Sequence, residues 1–221
     1  MYVITIARGF GSGGKAIGEA VAENLGIPCY EDEIKQMAVV ESGLNEELFD
    51  ETDEKYIGSA VQRKLHTFIH RYTPKPEQAK FASQEHLFEI QTKIIRSLVK
   101  KESCVIIGKC ADDVLREYKN TVSIYIEAPR SACVKSIKEK LHVSTERANQ
   151  LIYQTDKYRS KYYSYYTGGK KWNNPINYDL VLNSDRIGRD KCVQVIIEYL
   201  KIRFGPAVVD PGKTTDAAAP L

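Results

Sequence analysis

The chain has 221 residues, 43% of them hydrophobic and 28% charged, with a formal net charge of +3. That length supports one substantial core with room for a lid or an inserted helical piece. The charge excess is too small to argue for a nucleic-acid partner, and the longest apolar runs are far too short to span a bilayer. No cationic n-region or apolar h-region precedes the first strand-like segment. Five scattered cysteines (Cys29, Cys104, Cys110, Cys133 and Cys192) form no C-x-x-C pair. They read as reduced thiols of a cytoplasmic protein, not as disulfides or a zinc site.

Tyr2 to Ile6 is a β-branched run that predicts a strand, and it ends in a glycine cluster. Lys15 to Asn24 then has helical composition until Gly26 and Pro28 stop it, and Pro28 to Tyr30 predicts a brief second strand. From Asp32 to about Lys101 the apolar spacing is helical, with Leu87, Ile90, Ile94, Ile95 and Leu98 as one stripe. Tyr72 to Glu77, with two prolines, interrupts this block. Cys104 to Ile107, Val122 to Ile126 and Tyr178 to Leu182 predict three further strands; unbroken apolar runs are what strands buried on both faces require. Helical segments at Ala111 to Tyr118, Arg130 to Lys140 and Ser144 to about Tyr163 separate them, and Asp190 to Phe204 is the last helix. Residues 206–221, rich in Pro, Gly, Thr and Ala, predict a flexible tail. The GKTT there has no strand before it and Ala207 at the first glycine position, so its match to a phosphate loop is accidental. Strands alternating with helices imply a parallel sheet covered on both sides, with ligand at the carboxyl ends of the strands.

Gly9, four residues, Gly14 and Lys15 give the spacing of a phosphate-binding P-loop, in the strand–loop–helix context that makes the motif credible. Glycines at positions 9, 11, 13 and 14 let backbone N–H groups turn around an anion. The helix start adds its positive end, and Lys15 adds a mobile charge for the outer phosphates. A plain strand-to-helix turn is the competing reading. Ala16 stands where the motif has a Ser or Thr hydroxyl for magnesium. Magnesium would then be carried by phosphate oxygens, water and an acidic side chain, and its protein ligands stay unassigned. Two roles are open to Ser12, the one hydroxyl of the loop: a substitute metal ligand, or a brace for the turn.

Further pieces follow in order: GSGGKAIG (11–18), GIPCYEDEI (26–34), LFEIQTKII (87–95), CVIIGKCADDVL (104–115) and YIEAP (125–129). A long D-x-x-R-x-x-Y-Y-x-x-Y-T-G-x-x-x-W segment (156–172) and NYDLVLNS (177–184) complete the series. Together they resemble the cytidylate kinase-like family, relatives of bacterial CMP kinase among the P-loop nucleoside monophosphate kinases, from Tyr2 to about Ile197. The resemblance implies an α/β, three-layer P-loop NTPase fold: a five-stranded parallel sheet, helices on both faces, a helical NMP-binding insertion and a lid. The implied organisation is a single kinase domain over 1–205, with core segments 1–31 and 102–205, an acceptor-binding insertion at 32–101 and a lid at about 129–172, before the tail.

What the resemblance implies about function follows residue by residue. ATP with Mg²⁺ is the phosphoryl donor, held by Gly9, Gly11, Ser12, Gly13, Gly14, Lys15 and Ala16. The acceptor is a small molecule, CMP or dCMP first, with Glu31 or Asp32 after the second strand helping to hold it. Lys109 stands where the family has an arginine, which keeps the charge but loses the bidentate fork, and Asp112 lies one helical turn beyond. Asp156 and Arg159 match the family's D-x-x-R contact with the acceptor, and spacing of three puts both on one helix face; a solvated surface ion pair is the alternative. Lys15, Arg130 and Arg159 are the catalytic candidates, while Cys133 and Ser136 occupy lid positions where arginine is common. Such a protein would need no nucleic acid or membrane, and a homodimer is open to it. Two competing readings remain: a nucleotide-binding sensor or partner module with little transfer, and a P-loop kinase for another acceptor.

Several other features have simpler readings. Tyr158, Tyr162, Tyr165 and Tyr166 recur at three- and four-residue spacing and suit helix packing, with base stacking or a dimer contact as alternatives. Lys170 and Lys171 after TGG are either solvated or aimed at phosphates. His66 and His70 lie four apart but lack a third ligand at metal spacing, and the acidic cluster from Glu46 to Glu54 suits an exposed helix start.

Overall fold

The computed structural model describes residues 1–42 and 77–209. The His66–His70 pair, the acidic cluster, the proline-containing interruption up to residue 76 and the GKTT match lie outside these residues. Strands are β1 (Val3–Arg8), β2 (Cys29–Tyr30), β3 (Cys104–Ile107), β4 (Thr121–Glu127) and β5 (Leu180–Asn183). Helices are α1 (Gly14–Leu25), α2 (Asp32–Ser42), α3 (Glu77–Leu98), α4 (Ala111–Val114), α5 (Arg130–Leu141), α6 (Thr145–Tyr166), α7 (Ser184–Ile187) and α8 (Arg189–Phe204).

The five strands form one sheet in the order β2-β3-β1-β4-β5 with every pairing parallel. β1 is central: Ile4 lies opposite Val105 on one side and Val122 on the other. The chain steps to β3 on one side of β1 and to β4 on the other, so the carboxyl end of β1 opens at the switch point where α/β proteins hold ligands.

Alternation along the strands divides the core into two layers. Val105 and Ile107 join Ile4, Ile6, Ile17, Val21, Ile124, Ile196 and Leu200 beneath α1 and α8. Cys104 and Ile106 join Ile34, Ile90, Ile95 and Leu115 beneath α2, α3 and α4. Each fully buried isoleucine contributes about 1.5–3 kcal/mol, which is why the apolar run Cys104–Ile107 ends up covered on both faces; β5, at the sheet edge, leaves Val181 exposed. A third, smaller cluster of Cys133, Ile137, Ala148, Leu151 and Ile152 joins α5 to α6, with Phe10 packed against it. The α5–α6 pair is thereby seated on the loop after β1.

Two helices differ from their expected extents. The helix expected over Ala111–Tyr118 stops after Val114; Leu115 leaves helical geometry (φ −106°, ψ 8°) with its side chain fully buried. Turns at Arg116 and Tyr118 then bring the chain back so that Thr121 pairs beside Val3. α6 runs three residues past Tyr163, because Tyr162 and Tyr166 find apolar cover on Phe88 of α3, at ring separations of 6.1 and 3.9 Å. Ser144 caps its start, accepting the Arg147 N–H at 3.2 Å. Among the described residues no helix is long and apolar enough to cross a membrane.

Candidate active site

The loop between β1 and α1 holds its shape through backbone bonds that leave its tip facing outward. Gly9 N–H donates to Ile126 O at 3.0 Å and Ser12 N–H to Gly9 O at 3.2 Å. The first α1 bond is Ile17 N–H to Gly13 O at 3.0 Å, so the N–H groups of the first helical turn have no partner from the helix itself. Gly11 and Gly13 sit at φ 90° and 82°, a region costly for any residue with a Cβ. A Cβ at Gly11 would lie 2.8 Å from Cys133 O, and one at Gly13 would lie 2.6 Å from Arg189 Nε. At Gly11 and Gly13 the cradle is close-packed and left-handed, so a side chain there would be strained.

Ser12 is 2% exposed, and its hydroxyl lies 3.4 Å from the Gly14 N–H, which it accepts. Its carbonyl accepts the Ser184 hydroxyl at 2.6 Å. Of the two roles open to this residue, the structure shows the brace. Among the described residues no group of three or more His, Cys, Asp or Glu side chains could hold a metal ion. The residues present therefore fit the phosphates of a nucleotide through N–H groups and cations, and offer no metal cluster of their own.

Lys15 is half exposed and pairs with Glu31; Asp32 lies 3.7 Å and Glu19 4.0 Å from its ammonium. Burial works to lower its pKa, but Glu31 and then Asp32 and Glu19 outweigh that, so the net shift is upward and Lys15 is charged. The other oxygen of Glu31 accepts from Arg8 Nη2 at 2.6 Å. Arg8, the last residue of β1, drew no attention in the sequence, yet it stands at the mouth of the phosphate loop.

Beside the loop, at the carboxyl edge of the sheet, a pocket opens between the ends of β1 and β3 and the middle of α6. Arg8, Lys109 and Arg159 bring three cations to it, while Gln91, Tyr158, Tyr162 and Trp172 line the rest. Asp156 and Arg159 are not a solvated surface pair. Asp156 accepts the Phe10 N–H at 2.8 Å, and Arg159 donates to Arg8 O at 2.6 Å while lying over the Phe10 ring. The D-x-x-R face of α6 thus pins that helix to the phosphate loop.

Asp112 is 8% exposed at the pocket wall and accepts from the Tyr163 hydroxyl at 2.6 Å. Burial raises its carboxyl to about 6, against the partial opposition of that hydrogen bond. The same burial, with Asp112 beside it, pushes the Tyr163 phenol upward. Gly108, Lys109 and Cys110 form three successive left-handed residues (φ 78°, 57° and 56°) at the end of β3, the strained kind of backbone that persists where surroundings enforce it.

The structure gathers Lys15, Glu31, Asp32, Lys109, Asp112, Asp156 and Arg159 along one edge of the sheet. Arg130 is engaged elsewhere: it donates to Asn149 Oδ1 at 3.0 Å and to the Asn149 carbonyl within the lid. Lys170 pairs with Asp113, tying the loop after α6 to α4. Tyr162 donates to Gln91 Oε1 at 3.2 Å, so its ring packs while its hydroxyl meets a buried amide. Arg189, also missed, lies across Gly13 with Nη2 3.3 Å from Ser136 Oγ.

With this geometry in hand, comparison with known proteins decides the family. The model of the cytidylate kinase-like family matches residues 3–186. The chain belongs to the cytidylate kinase-like family. Membership supports ATP-dependent phosphoryl transfer as the general class of chemistry, with a nucleotide at the phosphate loop. No curated protein matches the chain. Among solved structures, an uncharacterized protein from Eubacterium ventriosum ATCC 27560 is 23% identical, with a TM-score of 0.66, over 91% of this chain and 99% of that one. TT1252 from Thermus thermophilus is 13% identical, with a TM-score of 0.53, over 92% and 97%. These likenesses establish the P-loop α/β fold of this family member and leave its acceptor open.

Proposed function

We propose that the protein is a kinase that moves the γ-phosphoryl group of ATP to a nucleoside monophosphate, CMP or dCMP first. The observation that carries this reading is the pocket beside the phosphate loop: cations where it meets the loop, and flat side chains with a buried amide farther in. A ligand with an anionic group and a planar ring suits that division. Loop N–H groups and Lys15 would hold the donor phosphates, and Arg8, Arg159 and Lys109 would orient the acceptor's phosphate. Asp112 and Gln91 offer hydrogen-bonding partners to a base. An acceptor phosphate is already anionic at neutral pH, so no general base is needed. Mg²⁺ arriving with ATP would offset charge on the donor phosphates.

A second reading, a nucleotide-binding module with little transfer, is favoured by the engagement of Arg130 with Asn149 inside the lid. One assay separates the two: wild type and Lys15→Ala with ATP and Mg²⁺ against a panel of nucleoside monophosphates. Turnover with CMP that falls by about a hundredfold or more in the variant, as loss of a phosphate-holding cation predicts, supports the kinase. ATP binding with no turnover on any acceptor supports the module, and failure to bind any nucleotide overturns both.

A further inference from the structure

The charge network at the loop extends this kinase reading, on which the following inference rests. Arg8 does not merely end β1. Its Cβ is 2.5 Å from where a Cβ on Gly14 would fall, so it packs against the first residue of α1. Its guanidinium reaches across to Gly108 at the end of β3, where a Cβ would collide with Nη1. Glycine at both positions gives a large side chain a slot between the phosphate loop and the pocket. Arg8 is 12% exposed and Glu31 14%. Glu31 holds Arg8 through one oxygen and Lys15 through the other. One carboxylate therefore serves as counter-ion to a cation of the loop and to a cation of the pocket.

We propose that Arg8 contacts the terminal phosphate of bound ATP at the junction of donor and acceptor sites, and that Glu31 is its positioning residue, shared with Lys15. The donor's outermost phosphate is the part nearest the pocket, and Arg8 is the cation common to both places. It comes from the central strand of a rigid sheet, so it stands ready without lid closure. Arg8 thereby supplies the charge that the lid, with Cys133 and Ser136 on α5 and Arg130 turned to Asn149, does not bring.

The test compares ATP with ADP by calorimetry on the full chain, in wild type, Arg8→Met, Arg8→Lys, Glu31→Gln and the double variant Arg8→Met/Glu31→Gln. Arg8→Met alone leaves Glu31 poorly compensated and is expected to lower the melting temperature. The double variant removes both charges and restores folding, which keeps the test decisive. In the double variant the ratio of ADP to ATP dissociation constants should fall about tenfold, the loss of one charge-assisted contact that only the terminal phosphate makes. Arg8→Lys should retain part of the preference for ATP. Glu31→Gln releases Lys15, which acts on both nucleotides, and also frees Arg8 from its brace, so the ratio of ADP to ATP dissociation constants should fall by about threefold. A folded double variant with the wild-type ratio of ADP to ATP affinity overturns the assignment and leaves the kinase reading standing. A wild type that binds neither nucleotide overturns both.

Discussion

Asp112 gives the sharpest quantitative handle on the pocket. Its carboxyl moves from an ordinary value of 3.8 to about 6, chiefly through burial. At about 1.4 kcal/mol for each tenfold change in proton affinity, that displacement corresponds to about 3 kcal/mol. The native protein holds this proton more tightly than the unfolded chain does. Stability contributed by Asp112 is therefore fully present below the unfolded value and is lost as pH rises through the folded one. In Asp112→Asn the amide oxygen can still accept from Tyr163, but nothing titrates. Urea unfolding followed by circular dichroism, from about pH 4 to about pH 7, should show the difference between variant and wild type changing by about 2.5 kcal/mol, most of the full displacement. The shift should favour the variant at the higher pH, and any fixed cost of packing the amide would offset both ends equally. Two stability curves that stay parallel across the range would refute the claim that burial raises this carboxyl. Ligand-free protein is required, because an anion in the pocket would itself move the carboxyl.

Two further outcomes test the cradle and its link to the lid. Gly13→Ala places a side chain at φ 82° and drives it toward Arg189; it should cost about 1–2 kcal/mol of stability and weaken ATP by about tenfold as the loop N–H groups are re-aimed, read by thermal unfolding and calorimetry. Asp156→Ala removes the acceptor of the Phe10 N–H; stability should fall by about 1.5–3 kcal/mol, and amide exchange at Phe10 should quicken, whereas unchanged exchange there would mean α6 does not pin the loop.

β3 was legible because burial on both faces leaves it no polar position: Cys104–Ile107 is apolar and buried throughout. The phosphate loop was legible because its function constrains spacing. The pairing of Asp156 with Arg159 on one face could also be read, since three residues is a helical interval, but what that face meets is tertiary. Nothing in the sequence says that Phe10 N–H and Arg8 O, about 150 residues away, are waiting there. Arg8 was hidden for a related reason. As the last residue of a strand it looks like a solvated end, and only the parallel placement of β3 beside β1 brings Gly108 and Glu31 around it. Arg189 was one charged residue among several at a helix start until β5 delivered it to the loop. The shortened α4 follows from the same kind of constraint, a connection that must return quickly enough to pair Thr121 with Val3.

The distribution of these cations changes the weight of two features of the sequence, Ala16 in place of the P-loop motif's hydroxyl and the few arginines of α5. Arg8 is on the central strand, Lys15 and Arg159 on α1 and α6, and Arg189 at the start of α8. Cations held on packed elements lose little freedom when an anion arrives, whereas a closing lid must be ordered at each binding event. Their proximity has its own cost, since two like charges a few ångströms apart repel by about 3–4 kcal/mol at an effective dielectric of 20. Glu31, bonded to both Arg8 and Lys15, offsets that repulsion while the loop is empty. A loop that keeps its cations neutralised by a carboxylate does not depend on a hydroxyl at position 16 to hold the anion. Under the proposed kinase reading, position 16 would leave the placing of magnesium to the nucleotide's phosphate oxygens and water.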